Sequence, residues 1–383
     1  MFPTLTDQRS SFTAQWCGAC TASAWRLTLF DRPLIAIDIG TSAVKMVEMS
    51  GRGSKQLRAI GLEMLPTGAV VDGTIQDVDS VGRVIKELLR KLKISATGRR
   101  AALAVSGSNV IVKRVAVDIA KGTEIGEQVF YEAEQHFQHD MSDLYFDYHE
   151  IKNAPNQDGK KPLILVGAKR EMVENHIASI RNAGLRAGVV DAEVFSINNM
   201  FEYNYGRSEG LIVLINIGAS STQVSLIAQG VYLYTRDISI GGQDYTRQIM
   251  EVMGVERDNA ESLKISASMG DASTPPEVQK ALAATNDQLV AEIRTTIDYF
   301  FSSGEAAPDL GSLTGAFLSG GGSRILGLDA ALAYNLGVHV KTINPFYRVE
   351  INPKRFQMDY LLMQGHLYGV AVGLAMRSVN DRE

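Results

Sequence analysis

A strand pattern that ends in an acid or its amide, bends at a glycine followed by hydroxyl residues, and returns as a second strand occurs twice in this chain. The first copy reads Leu34-Ile35-Ala36-Ile37-Asp38-Ile39-Gly40, bends at Thr41 and Ser42, and returns over residues 43–49. The second runs over residues 211–218, bends through Ser220, Ser221 and Thr222, and returns over 223–227. Asp38 matches Asn216 and Gly40 matches Gly218 at the same offset. Short apolar runs closed by glycine read as buried strands, so each copy predicts a β-hairpin with a polar residue near its tip. The interval between the copies is far longer than a solenoid unit. It predicts two similarly built halves facing each other, with a ligand between them.

Hairpins of this composition suit a nucleotide. Glycine lets the backbone approach a ligand closely, and successive amides with the hydroxyls of Thr41 and Ser42, or of Ser220, Ser221 and Thr222, can cradle phosphate oxygens. A carboxylate such as Asp38 can hold a hydrated Mg2+, which keeps several waters when it binds phosphates. Lys45 on the returning strand can reach toward a phosphate. One hairpin with a hydroxyl-rich turn is an ordinary structural feature, and the second copy is what favours a phosphate site. A third glycine-rich element follows: residues 315–319 read as a strand, Gly320-Gly321-Gly322-Ser323 as a turn, and 328–333 as the body of a helix. Three consecutive glycines leave bare backbone against which a base or sugar can lie.

Composition narrows the classes. The 383 residues, 45% hydrophobic and 21% charged, suffice for more than one core. A net charge of -5 without a Lys/Arg cluster disfavours nucleic acid as a partner. No apolar run reaches the roughly 18–20 residues that cross a bilayer. Cys17 and Cys20 lie in an N-terminal tail, residues 1–33, that is expected to be disordered. No strand pattern precedes them to aim a reactive thiol, and polar Ser10, Ser11, Thr13 and Gln15 stand where a secretory signal needs an apolar core. The cysteine-free remainder suits a reducing cytoplasm.

The succession of residues 35–48, 214–226 and 317–328 resembles the phosphate-1, phosphate-2 and adenosine motifs of the actin-like ATPase superfamily. The resemblance implies an α/β, actin-like two-lobed fold that binds ATP with Mg2+. Residues 99–186 read as strands 101–105, 110–117, 144–151 and 163–168 with helices 124–137 and 171–183. This α/β insert resembles the 1C subdomain of the PilM and FtsA families. Residues 102–108, Val190-Asp191-Ala192-Glu193 and Ile343-Asn344-Pro345-Phe346 are similar to the type IV pilus assembly PilM family, and that resemblance runs from Leu34 to Ser378. It implies a first lobe of 34–98 and 186–205, an inserted 1C subdomain of 99–185, a second lobe of 206–358, and a C-terminal connecting helix in 359–383. Connecting helices are expected at 191–203 and 365–377, the latter with Gly365, Gly369 and Gly373 leaving one face bare for close packing.

Carried over by position, Asp38, Gly40, Thr41, Ser42 and Lys45 match the first phosphate loop, with Asp38 holding Mg2+ through water. Asn216, Gly218, Ser220, Ser221 and Thr222 match the second, and Gly320, Gly321, Gly322 and Ser323 the adenosine loop. Glu261 and Lys264 share a helix face and resemble the pair that contacts ribose and base; a surface ion pair accounts for them as well. Glu193 falls where relatives position the attacking water, with capping of its own helix as the alternative. Asn216 departs from the family's Asp. An amide keeps an acceptor oxygen and loses the charge, so binding with slow turnover is expected, and ATP acts as a conformational ligand.

The PilM resemblance further implies a cytoplasmic member of the inner-membrane pilus assembly platform. Such a protein binds the cytoplasmic N-terminal peptide of a PilN-like membrane protein in a groove beside the insert, and meets other pilus assembly proteins. Residues 378–383 hold nothing apolar to enter a bilayer, unlike the amphipathic helix that ends FtsA, so attachment to the membrane is expected to be indirect. Two alternatives stay open. One is an FtsA-like division filament protein, and the other an actin-fold metabolic kinase, for which no distinct acid motif supplies the general base.

Overall fold

The structure, a computed structural model, describes residues 33–51, 53–118, 125–151, 160–303 and 310–379. The expectations for the tail, Cys17 and Cys20 fall on residues 1–32, outside the described residues, as does Glu124 at the expected start of a helix. The chain forms two compact units. One holds the described residues up to Met200, Arg348–Asn352 and the described residues from Val370 on; the other holds Phe201–Tyr347 and Pro353–Gly369.

In the first unit, Ile35–Ile39 and Ala43–Ser50 pair antiparallel with Asp38 directly opposite Lys45. Every residue of Ile35–Ile39 is buried, as a strand covered on both faces requires. Gln56–Met64 extends the hairpin on one side, and Arg100–Val105 then Arg186–Ala192 continue the sheet in parallel on the other. Helices Val78–Lys91 and Arg170–Asn182 contribute Ile85, Leu88, Met172 and Val173 to one core with Ile37 and Leu103. Val78–Lys91 begins where the Asp77 carboxylate accepts from the Ser80 amide at 2.9 Å, an N-cap that satisfies an otherwise orphaned donor.

The strands of residues 99–185, expected as one insert, are divided between two sheets. A separate antiparallel sheet has the order Val110–Val117, Lys161–Lys169, Leu144–Glu150, and helix Ile125–His136 packs on it through Val129 and Ala133. Arg100–Val105 lies in the main sheet instead, because its run of buried residues suits a central parallel strand rather than an alternating one. Helix Arg170–Asn182 likewise belongs to the main core.

Both connecting helices differ from the sequence reading. The first begins at Glu193, since Asp191 and Ala192 complete the strand Arg186–Ala192. Asp191 is fully buried there and pairs with Arg377 at 3.4 Å, while the Ser196 hydroxyl donates to the same carboxylate at 3.3 Å. Buried charges are tolerated in this way only when paired and hydrogen-bonded. The second is broken into a 3-10 turn, Gly365–Tyr368, and the helix Gly369–Ala375. At this break the His366 carbonyl accepts from the Gly320 amide at 3.0 Å.

The second unit repeats the plan of the first. Leu211–Ile217 and Thr222–Ala228 form the second hairpin, Val231–Ile238 extends it antiparallel, and Leu313–Ser319 then Val340–Thr342 continue it in parallel. Helices Gly242–Met253, Arg257–Ser268, Pro276–Ser302 and Leu328–Leu336 share its core through Tyr245, Ala260, Leu289 and Leu332. Among the described residues no helix is long and apolar enough to cross a membrane.

A Cβ on Gly373 would stand 1.8 Å from the Ser196 carbonyl oxygen, so the two segments meet backbone to backbone. Gly373→Ala is expected to destabilise the fold by roughly 1–3 kcal/mol through overpacking. Calorimetry reads this as a lower thermal midpoint, and an unchanged midpoint would refute the contact.

Candidate functional site

In the first hairpin, Asp38 and Lys45 face each other across the strands and form an ion pair of 3.0 Å, with side chains only 10% and 19% exposed. The Gly40 amide donates to the Ala43 carbonyl at 3.1 Å and tightens the turn. A Cβ on Gly40 would lie 3.2 Å from the Lys45 ammonium, so the end of the lysine passes close over the glycine. Sequence reasoning missed a neighbour. His176 is buried on helix Arg170–Asn182 and its Nδ1–H donates to the Met172 carbonyl at 2.8 Å. Burial lowers its pKa, against the raising influence of that carbonyl and of the Asp38 charge.

The second hairpin keeps the geometry and loses the charges. The residues at the matching cross-strand positions are Asn216 and Gln223. The cross-strand pair of the second hairpin is thus neutral at both positions, where the first has an acid facing a base. Gln223 in turn donates to the Asp237 carboxylate at 3.2 Å. Ser220 and Ser221 are half-buried at the turn. Thr222 is placed otherwise than expected: it is fully buried and its hydroxyl donates to the Ile240 carbonyl at 2.7 Å, bracing the hairpin instead of facing a ligand.

The sequence reading also missed Gly241 and Gly242. The Gly242 amide donates to the Gly218 carbonyl at 2.9 Å and the Gln243 amide to the Ala219 carbonyl at 2.8 Å. The first turn of helix Gly242–Met253 is thus capped by the carbonyls of the second loop. A Cβ on Gly241 would come within 2.6 Å of the Ser221 nitrogen, so only glycine admits this approach. The signal was present in the sequence: Asp244, three residues after Gly241, accepts from the Gly241 amide at 2.8 Å in the manner of a capping box.

Lys264 is engaged within the same region. Its ammonium donates to the Gly242 carbonyl at 2.9 Å, the Thr246 hydroxyl at 2.8 Å and Glu261 at 2.7 Å, which ties helix Arg257–Ser268 to the first turn of Gly242–Met253. Glu261 keeps 44% of its side chain exposed, against 11% for Lys264. Glu193 opens the helix Glu193–Tyr205, where a negative charge is favoured by the helix dipole.

The four residues of the third loop divide by role. Gly320 has φ 82°, and a Cβ there would stand 2.4 Å from the Ile217 carbonyl oxygen and 2.7 Å from Asn216 Oδ1; on Gly322 it would meet the Ile217 side chain at 2.2 Å. Both are glycine because the loop packs on the second hairpin. Gly321 is exposed, with Leu367 the nearest neighbour of an added Cβ at 3.6 Å, so it supplies the bare face. Ser323 is buried, and its hydroxyl has no hydrogen-bond partner among the described residues. The first unit carries a shortened version of this loop: Ser106-Gly107 follows Arg100–Val105 as Ser319-Gly320 follows the strand Leu313–Ser319, with φ 89° at Gly107.

Each unit by itself carries features that suit part of a nucleotide: a lysine and hydroxyls at the turn of the first hairpin in one, and a bare glycine face, the unpartnered Ser323 hydroxyl and a hydroxyl-lined turn in the other. A protein cage for a metal ion is not present, since no group of three or more His, Cys, Asp or Glu able to hold one occurs among the described residues. Mg2+ would depend on phosphate oxygens and water, with Asp38 as an outer partner.

The sheet plan and the three loops define an α/β protein of the actin-like ATPase fold. A family model described as "Type IV pilus assembly protein PilM" matches residues 36–379, and the chain belongs to that family. Among solved structures it is similar to the PilM-PilN type IV pilus biogenesis complex, with 26% identity, 91% of this chain and 98% of that chain covered, and a TM-score of 0.79. Ethanolamine utilization protein EutJ from Carboxydothermus hydrogenoformans shares the fold, at 15% identity, 91% of each chain and a TM-score of 0.55. Curated relatives include cell division protein FtsA of Staphylococcus epidermidis, 22% identical over 351 residues, 81% of this chain and 74% of the relative. FtsA of Streptococcus pneumoniae is 26% identical over 264 residues, 62% of this chain and 56% of the relative.

His366 underlies the third loop, and burial with the nearby Arg324 charge pushes its pKa down to about 4. An unfolded histidine titrates near 6.5, so between these values the unfolded chain binds more protons and folding stability falls as pH falls. The thermal midpoint should therefore drop between about pH 6.5 and pH 4. His366→Gln should flatten that slope, and parallel slopes for the two proteins would refute the assignment.

Proposed function

We propose that this chain is the ATP-binding member of a type IV pilus inner-membrane assembly platform, located in the cytoplasm and held at the membrane by the N-terminal peptide of a PilN-like protein. The observation that carries this reading is the likeness to the PilM-PilN complex over nearly the whole of that chain. Asp38, Thr41, Ser42 and Lys45 are the residues of the first unit that would meet a phosphate, and, considered by itself, the second unit offers Ser220, Ser221, Glu261 and the Gly321 face to a nucleotide. Lys45 would exchange part of its pairing with Asp38 for a phosphate, freeing the carboxylate for hydrated Mg2+. The neutral pair Asn216 and Gln223 supports slow turnover or none, because charge stabilisation of the transferring phosphoryl group is weaker. ATP then serves as a ligand that biases conformation. The curated FtsA relatives support a second reading, a division filament protein, which co-sedimentation with the tubulin-like FtsZ would favour.

Asp38→Ala and Gly321→Asp should each weaken ATP binding at least about tenfold, by removing the outer metal partner and by placing a carboxylate on the bare face. Titration calorimetry measures this, and unchanged affinity in both variants would defeat the site.

The partner is assigned to the insert, whose edge strands Val110–Val117 and Leu144–Glu150 can offer main-chain hydrogen bonds to an extended peptide. Deleting residues 99–185 would remove a strand of the main sheet. The Lys169 amide donates to the Asn109 carbonyl at 3.1 Å, so a short glycine linker can replace residues 110–168. That variant should lose the PilN-like peptide in pull-downs and float free of membranes while keeping ATP affinity. Retention on membranes would exclude this mode of attachment.

A further inference from the structure

Helix Pro276–Ser302 carries an amide in the middle of an apolar core. Asn286 is 3% exposed and lies among Leu282, Leu289 and Val290, which belong to the main cluster of the second unit. Its oxygen accepts from the Tyr245 hydroxyl at 3.0 Å, and its nitrogen donates to the Leu326 carbonyl at 2.9 Å. Tyr245 is itself fully buried. A buried phenol and amide are desolvated at a cost that an aliphatic pair of the same volume would not incur, so their presence points to a demand for fixed geometry rather than for stability.

The two ends of this bridge have different addresses. Tyr245 is in the first turns of helix Gly242–Met253, whose leading amides are bonded to the Gly218 and Ala219 carbonyls of the second hairpin. Leu326 closes the segment that starts with Gly320–Ser323, just before Gly327, where φ is 77° and an added Cβ would stand 3.8 Å from the Asn286 nitrogen. The loops already touch at their strand ends, through Gly320 and Gly322 against Ile217. Asn286 joins their far sides, which no strand pairing reaches.

We infer that Asn286, with Tyr245, is a positioning residue that holds the second phosphate loop and the adenosine loop as one body, so that the phosphate and base ends of one nucleotide meet a preset spacing. For the ligand this rests on the nucleotide reading above; the mechanical coupling does not. Neither residue touches the ligand. Their effect comes from restricting how the two loops move relative to each other, which otherwise has to be restricted by binding.

Two readouts separate the claims. In the ligand-free protein, Asn286→Leu should speed amide hydrogen exchange at least about fivefold both at Gly242 and Gln243 and at Ser323, Ile325 and Leu328. Tyr245→Phe, a milder change, should act in the same direction at both places. Thr285→Val is the control: this neighbouring buried hydroxyl bonds to the Ala281 carbonyl of its own helix, and its loss should lower the thermal midpoint without speeding either loop. In calorimetry, Asn286→Leu should weaken ATP about tenfold and inorganic tripolyphosphate less than about twofold, because only ATP spans both loops. Faster exchange in one loop alone or in neither, or equal effects from Thr285→Val, overturns the coupling. If the coupling holds but wild-type protein binds no ATP, the nucleotide reading fails and the inference about spacing for a nucleotide fails with it.

Discussion

A strand buried on both faces must end, and at its end the backbone amides and carbonyls still need partners. That constraint shapes both sheets. The central strands Ile35–Ile39 and Leu211–Ile217 are almost wholly buried, and each ends in a glycine turn closed by its own hydrogen bond, Gly40 to Ala43 and Gly218 to Ser221. In the second unit the carbonyls of the turn are taken up by the helix that starts at Gly242. Glycines 241, 320 and 322 follow from this arrangement, since each lies where another residue's Cβ would collide with the hairpin.

Charge distinguishes the two otherwise similar loops. The first keeps an acid and a base facing each other, partly buried, and the second has an amide at both positions. Read singly, Asn216 looks like the loss of one metal-directed carboxylate. Read with Gln223, it is one half of a cross-strand amide pair, and Gln223 donates onward to the Asp237 carboxylate. The first loop therefore carries an ion pair at its base, and the second carries dipoles and hydroxyls.

Membership of the PilM family and the likeness to a PilM-PilN complex give these loops their setting, while the FtsA relatives show how widely the plan is shared. The additional three-stranded sheet with helix Ile125–His136 has its own small core, Val115, Val129, Phe137 and Leu165. A module with its own core can diverge in its partner without disturbing the residues that shape the loops.

The sequence by itself determined the two hairpins, the glycine loop and the family, because each depends on short-range patterns: apolar runs, alternation and glycine punctuation. It also contained two signals that went unread, the capping box at Gly241 to Asp244 and the Ser106-Gly107 echo of Ser319-Gly320. Tertiary structure alone decided that Thr222 turns inward to the Ile240 carbonyl, that Lys264 is held by Gly242 and Thr246, and that Arg100–Val105 leaves the insert for the main sheet. It also decided the bond from the Gly320 amide to the His366 carbonyl, in the 3-10 turn that precedes the last helix. Each of these depends on a partner distant in the chain, and local propensity carries no information about which backbone group a fold will bring within hydrogen-bonding distance.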